Sequence, residues 1–281
     1  MAYPDVPIWL ELARLARDYA ASGAGLLRPA ADFGGVDRYC FFVGAPRNGH
    51  SLVGALLDAH PQMVIAHELG VPKYLAAHFG RRQILYLLAA NASRQAARGR
   101  PHIHYSHAVP GQWQGRCREL RVIGDKHGEG FLLSVQARPR LADAVPERFD
   151  PAYFIHVVRN PYDAIASVVG SSKRGQSPDR AAGYFESLYA TLERVRSRLD
   201  PGRLHLLRFE DFLRHPRERL QDACRFLGVE APPDYLEACA GIVLSRPEDH
   251  RGLVQWDDAV RRRVDALIER HDFLRGYRFD D

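Results

Sequence analysis

The chain has 281 residues, 46% of them hydrophobic and 26% charged, enough apolar material for a sizeable core and too much for a disordered tail. Its formal net charge of +5 favours an anionic ligand, without separating a nucleic acid from a phosphorylated small molecule. The four cysteines, Cys40, Cys117, Cys224 and Cys239, stand far apart with neither a CxxC nor a metal-ligand spacing, which argues against a disulfide framework and predicts free thiols in a reducing compartment.

In chain order, the first predicted element is an amphipathic run over 8–19 that carries Glu11, Arg14, Arg17 and Asp18, unlike the apolar core of a signal peptide. No stretch is long and apolar enough to cross a bilayer, so the expectation is a cytoplasmic protein without a membrane span. Apolar runs suited to buried strands follow at 39–43, 120–123, 153–158 and 204–209. Helical patterns lie at 51–59, 161–169, 181–199, 216–227 and 257–270. Strands alternating with helices predict an α/β fold: a central, mainly parallel sheet flanked by helices, resembling the P-loop nucleotide-binding architecture. No repeat or linker divides the chain, so residues 1–281 are read as a single domain. The region 71–116 breaks the rhythm and ends in an aromatic and histidine-rich stretch (PHIHYSHAVPGQW); it is read as an acceptor-binding lid, a solvated helical excursion being the alternative.

Two segments carry the chemistry. FFVGAPRNGHS (41–51) is a buried strand, a glycine-containing turn and a helix start. It fits GxxxxGK(S/T) at Gly44, Gly49, His50 and Ser51, with histidine in place of the lysine of nucleoside-triphosphate enzymes. The glycines allow close backbone approach, the amides from Asn48 to Leu52 can face an anion at a helix N-terminus, and Arg47 can supply the cation. The second segment, RNPYDAIAS, follows the strand at 153–158. It puts Arg159 at a strand end and Ser167 about two helical turns further on, with Pro161 placed to open the helix.

Together, APRNGHS and RNPYDAIAS resemble the 5′-phosphosulfate loop and the 3′-phosphate motif of sulfotransferases that use 3′-phosphoadenosine 5′-phosphosulfate (PAPS). LLDAHPQMVIAHE is similar to the segment after the loop in tyrosylprotein sulfotransferases, and FEDFLRHPRERLQDACRFLGV resembles a later family segment. The resemblance runs from about residue 39 to the C-terminus and is weakest over 71–116. It implies transfer of a sulfuryl group to a hydroxyl with release of PAP, and no metal. Arg47, Asn48, Gly49, His50, Ser51 and Leu52 would hold the 5′-phosphosulfate, Arg159 and Ser167 the 3′-phosphate, and Phe209 would stack on the adenine. Glu68 resembles the family's catalytic glutamate, with His67 the alternative base, and Lys126, in GDKHG, resembles the lysine that approaches the sulfuryl oxygens. The implied catalytic set is Glu68, Lys126, Arg47 and His50.

Lys73, Lys126 and Lys173 are the only lysines among 39 basic residues, which supports a point-charge role for one at a strand end. Lys173, Arg174, Ser245 and Arg246 are weaker candidates for cofactor contact. His102, His104 and His107 have a tempting spacing that nothing else in the sequence supports as a metal site. The acceptor is expected to be a small molecule, a carbohydrate or a peptide, with no nucleic-acid partner; its identity and the oligomeric state stay open. The competing readings are a magnesium-dependent P-loop kinase or nucleotide hydrolase, and a non-catalytic nucleotide-binding module. The missing loop lysine, and Arg159 where a metal-binding carboxylate is expected, argue against the first.

Overall fold

The computed structural model describes residues 7–27, 32–100, 106–171, 176–244 and 250–280. Helix α1 (Ile8–Gly25) precedes strand β1 (Arg38–Val43), whose RYCFFV sequence is apolar beyond its first residue because both faces are covered. Helix α2 (His50–Asp58), strand β2 (Met63–His67), helices α3 (Val71–Ala76) and α4 (Arg81–Ala97) and strand β3 (Val122–Lys126) follow. Then come α5 (Gly128–Ala137), α6 (Leu141–Arg148), β4 (Ala152–Val158), α7 (Pro161–Ser171), α8 (Pro178–Arg196) and β5 (Leu204–Arg208). Helices α9 (Phe209–Arg214), α10 (Pro216–Phe226), α11 (Pro233–Ala240) and α12 (Asp258–Arg270) complete the chain.

The five strands form one sheet in the order β2-β3-β1-β4-β5, every pairing parallel. Side chains alternate between two cores, as a period of two requires. Tyr39, Phe41, Val64, Ile123, Phe154 and Val158 face one core, under α4, α5, α7, α8 and α12. Cys40, Phe42, Ile65, Val122, Ile155 and Val157 face the other, under α2, α9, α10 and α11. The chain turns to one side of β1 for β2 and β3 and to the other side for β4 and β5. The carboxyl end of β1 is therefore the switch point at which such sheets bind ligands.

The anticipated strands at 39–43, 153–158 and 204–209 correspond to β1, β4 and β5 within a residue. The run at 120–123 belongs to a strand displaced toward the C-terminus: β3 takes in Gly124, Asp125 and Lys126, all buried. Gly124 is needed there, since a β-carbon would sit 1.8 Å from the Cys40 carbonyl oxygen. Strand β2 and helices α5, α6, α9 and α11 were not anticipated.

Within 71–116, α4 is a layer of the core and not an excursion: Ile84 and Leu88 are fully buried, and α4 packs on β2. The rest of the region is stitched to the end of α2. Asp58 accepts from the amides of Ile65 and Gly115, both at 2.7 Å, and pairs with the buried Arg100 guanidinium. Burial outweighs that pairing and pushes the Asp58 carboxyl up to about 7. Among the described residues, no helix is long and apolar enough to cross a membrane.

Candidate active site

Each strand delivers a residue to one edge. The loop at 44–49 follows β1, Glu68 follows β2, Lys126 closes β3, Arg159 follows β4, and Phe209 follows β5. These groups line a cavity of about 360 Å³.

The loop turns on Gly44 (φ 139°), Arg47 (φ 63°) and Gly49 (φ 92°). Gly49 must lack a side chain for a second reason: a β-carbon would lie 2.2 Å from the Phe209 ring. The amides of His50 and Ser51 fall in the first turn of α2, where no intrahelical carbonyl is available to them. The Asn48 side chain points inward, fully buried, and donates to the Val157 carbonyl at 3.2 Å, so it ties the loop to β4 and does not line the cavity. His50 is also turned inward. Its Nε2 lies 3.2 Å from the Val43 carbonyl, and burial lowers its pKa to about 4 despite that hydrogen bond. The residue at the lysine position is therefore a neutral donor to the backbone of β1 at physiological pH, and it lines the cavity.

The cations come from elsewhere. Lys126, 3% exposed, donates to Glu68 Oε1 at 2.7 Å and to Ser51 Oγ at 3.1 Å. Burial holds the Lys126 pKa below the ordinary lysine range, with Glu68 opposing the shift. Burial pushes the Glu68 carboxyl up, but the charge and hydrogen bond of Lys126 overcome it and bring the group down to about 2. Glu68 is 54% exposed on its side chain and lines the cavity, whereas the adjacent His67 does not. Leu52 and His107 complete this part of the lining, and His107 is the one residue of 71–116 that reaches it among those described.

At the other end, Arg47 Nε donates to Ser167 Oγ at 2.8 Å, and Arg159 Nη1 lies 3.4 Å from the Arg47 carbonyl. Arg47, expected with the 5′-phosphosulfate, thus stands against Ser167, expected with the 3′-phosphate and 120 positions away. Arg159 is 7% exposed; burial lowers its pKa, opposed by Asp163 and Glu210. Its guanidinium carbon stands 5.9 Å from the centroid of Phe209. The two expected anion sites are therefore parts of one cavity. Lys173, Arg174, Ser245, Arg246, His102 and His104 lie outside the described residues.

Residues 40–233, well over half of the chain, match the model of the sulfotransferase family. The chain belongs to the sulfotransferase family. Over 95 residues it is 33% identical to the omega-hydroxy-beta-dihydromenaquinone-9 sulfotransferase Stf3 of Mycobacterium tuberculosis, a match spanning 30% of this chain and 24% of that protein. Among solved structures it is similar to sulfotransferase STF9 of Mycobacterium avium, with a TM-score of 0.55 and 12% identity over 96% of this chain and 88% of that one. It is also similar to the sulfotransferase domain from the curacin biosynthetic pathway, with a TM-score of 0.50 and 16% identity over 83% and 98% of the two chains. At these identities the structural likeness concerns the fold.

In this sulfotransferase-family chain, three carboxylates that sequence reading passed over hold the site in shape. Asp125, 2% exposed, accepts from the amides of Leu69, Gly70 and Val71 at 3.0, 2.8 and 3.1 Å, and so fixes the turn that presents Glu68. Asp163 pairs with Arg251 at 2.8 Å and lies 4.0 Å from Arg159. Glu210 accepts from the amide of Asn160 at 2.8 Å and from the Tyr277 hydroxyl at 2.7 Å, which joins the ends of β4 and β5 to the C-terminal segment. The signal available in the sequence was position alone: Asp125 and Glu210 adjoin Lys126 and Phe209, and Asp163 is one helical turn from Arg159.

The neutral state of His50 makes a prediction. An unfolded histidine binds its proton near pH 6.5, the native one near pH 4. The unfolded state therefore takes up more protons in between, so stability from the neutral ring is complete above pH 6.5 and is lost as pH falls through 4. Thermal unfolding of the native protein and H50Q should differ in slope across that window, the native protein losing about 3 kcal/mol more on acidification. Parallel curves would show that His50 is not held neutral.

Proposed function

We propose that this chain transfers a sulfuryl group from PAPS to a hydroxyl of its acceptor and releases PAP, without a metal, in the cytoplasm. The observation that carries the reading is the convergence of two anion sites in one cavity: Arg47, Ser167 and Arg159 at one end, the α2 amides with Ser51 and Lys126 at the other. That donor set suits a nucleotide bearing a 3′-phosphate and a 5′-phosphosulfate, with Phe209 beside Arg159 available to stack on the base.

Sulfuryl transfer resembles phosphoryl transfer in demanding alignment and stabilisation of charge on oxygens. The acceptor oxygen forms its bond to sulfur as the sulfur–oxygen bond to the 5′-phosphate breaks, and that electron pair leaves on PAP. Lys126 and Ser51 hold charge on the transferred group's oxygens. Glu68 Oε2, which has no hydrogen-bond partner among the described residues, takes the proton of the acceptor hydroxyl. Glu68 is preferred to His67 because it lines the cavity. As Lys126 turns its charge toward the transferred group, the opposition to burial weakens and Glu68 becomes a stronger base. Asn48 and His50 position the loop.

A magnesium-dependent phosphotransferase is disfavoured by the same geometry. Asp125 is the carboxylate on the strand next to β1, and both its oxygens are engaged by backbone amides. Four free cysteines suit a reducing compartment. The acceptor is a small molecule, a carbohydrate or a peptide.

Glu68→Gln should lower kcat for sulfuryl transfer from PAPS by about 10²–10⁴ with PAP affinity retained; an unchanged kcat would remove Glu68 as the base. With Lys126 present, Glu68 stays ionised down to about pH 2, so it adds no acid limb to kcat/KM at ordinary pH. Lys126→Met leaves burial unopposed, and a limb should emerge at higher pH. A profile whose shape matches the native protein's would contradict the coupling.

A further inference from the structure

The cavity has two unlike halves. On the side of Phe209 its lining includes Leu213, Ile242 and Leu244, the first two packed with Phe209 in one apolar cluster. Around Lys126 the lining is mainly polar: Glu68, Glu129, His107, His127 and the glycines 128 and 130, with Leu52 the one apolar side chain placed among them in the described residues. Glu129 plays no part in the reaction described above. It stands in the first turn of α5, and its Oε1 accepts from the Tyr184 hydroxyl, which fixes the carboxylate from the α8 side. Its Oε2, like that of Glu68, has no hydrogen-bond partner among the described residues.

Each class of acceptor meets this half differently. An apolar phenol or long-chain alcohol would satisfy Glu68 through its reacting hydroxyl but desolvate Glu129 and return it no hydrogen bond, a loss of about 1–3 kcal/mol or more. An acidic peptide would bring like charge against both. A neutral ligand with several hydroxyls matches the wall: each hydroxyl can donate to a carboxylate oxygen and accept from a backbone amide of the α5 first turn, where no intrahelical carbonyl competes. Glu68 and Glu129 are each engaged through one oxygen only, by Lys126 and Tyr184, which leaves both ready to accept.

Resting on the sulfuryl-transfer reading, we infer that the acceptor is a neutral polyhydroxylated molecule with the chemistry of a saccharide, and that Glu129 accepts a hydrogen bond from a hydroxyl other than the one that reacts. Glu129 is thus a specificity-determining residue, and Tyr184 positions it.

The test uses the full chain with radiolabelled PAPS and a fixed panel: maltotriose and N,N′-diacetylchitobiose as neutral saccharides, 2-naphthol and 1-dodecanol as apolar acceptors, and a tyrosine peptide flanked by aspartates. The best saccharide should exceed every other acceptor in kcat/KM by about tenfold or more, an advantage of about 1.4 kcal/mol. Glu129→Leu should lower saccharide kcat/KM by about tenfold or more while PAP affinity holds. Glu129→Gln keeps an acceptor for Tyr184, so it guards against misfolding and should fall in between. Saturation-transfer NMR on the PAP-loaded protein, with each saccharide at millimolar concentration, reads binding apart from turnover. A preferred apolar or acidic acceptor overturns the inference, as does the absence of any saccharide signal on a protein that binds PAP. A protein that neither binds PAP nor consumes PAPS overturns the sulfuryl-transfer reading first, and this inference with it.

Discussion

Five parallel strands end at a single edge of their sheet, and the chemistry of this chain depends on that constraint. Because the strands share a direction, residues as distant in sequence as Arg47, Glu68, Lys126, Arg159 and Phe209 emerge side by side. The edge must then hold cations in a partly dry place. Burial lowers the proton affinity of both Lys126 and Arg159, and Glu68 and Asp163 offset that cost only in part. Such cations are set for an anion before it arrives, which is how preorganised sites stabilise charge without rearrangement. The hydrogen bond between Arg47 and Ser167 joins the loop after β1 to α7, the two segments proposed to bind the anions.

Much of this was legible in the sequence, for definite reasons. Strands β1, β4 and β5 are apolar runs, and the turns after β1 and β4 carry glycine, proline and arginine in recognisable spacings. Among the strand-end residues, Arg159 stood out by its place in the second of these motifs, and Glu68, Lys126 and Phe209 by resemblance to the family. Strand β3 was displaced in the reading because its last three residues are glycine, aspartate and lysine. Their burial depends on neighbours: Gly124 on the backbone of β1, Asp125 on the turn after β2, Lys126 on Glu68. Helix α5 escaped because it opens on Gly-Glu-Gly, a poor start by intrinsic preference that tertiary packing of Phe131, Leu132 and Val135 overrides. The inward turn of Asn48 and His50 could not be read at all. Sequence position put them in the loop, and only the contacts with Val157 and Val43 show that their side chains brace it.

A division of labour among the charged groups emerges. Arginines form planar contacts at the far end of the cavity, where Arg159 meets the Arg47 carbonyl and the Phe209 face. One lysine, Lys126, a compact charge on a flexible stem, stands where the proposed reaction passes a group from one partner to another. The carboxylates divide in the same way: Asp125 and Glu210 spend their oxygens on backbone amides and a tyrosine hydroxyl, while Glu68 and Glu129 each keep one oxygen toward the cavity.

The central claim is that Arg47, Arg159 and Ser167 form a site for a 3′-phosphate in the same cavity as the loop after β1. Calorimetric titration with PAP and with adenosine 5′-monophosphate, both in EDTA, tests it most directly, since the two ligands differ only in that phosphate. Two guanidinium groups and a hydroxyl on one phosphate should favour PAP by about 100-fold or more. Equal affinity for the two nucleotides, or binding of neither, would contradict the account.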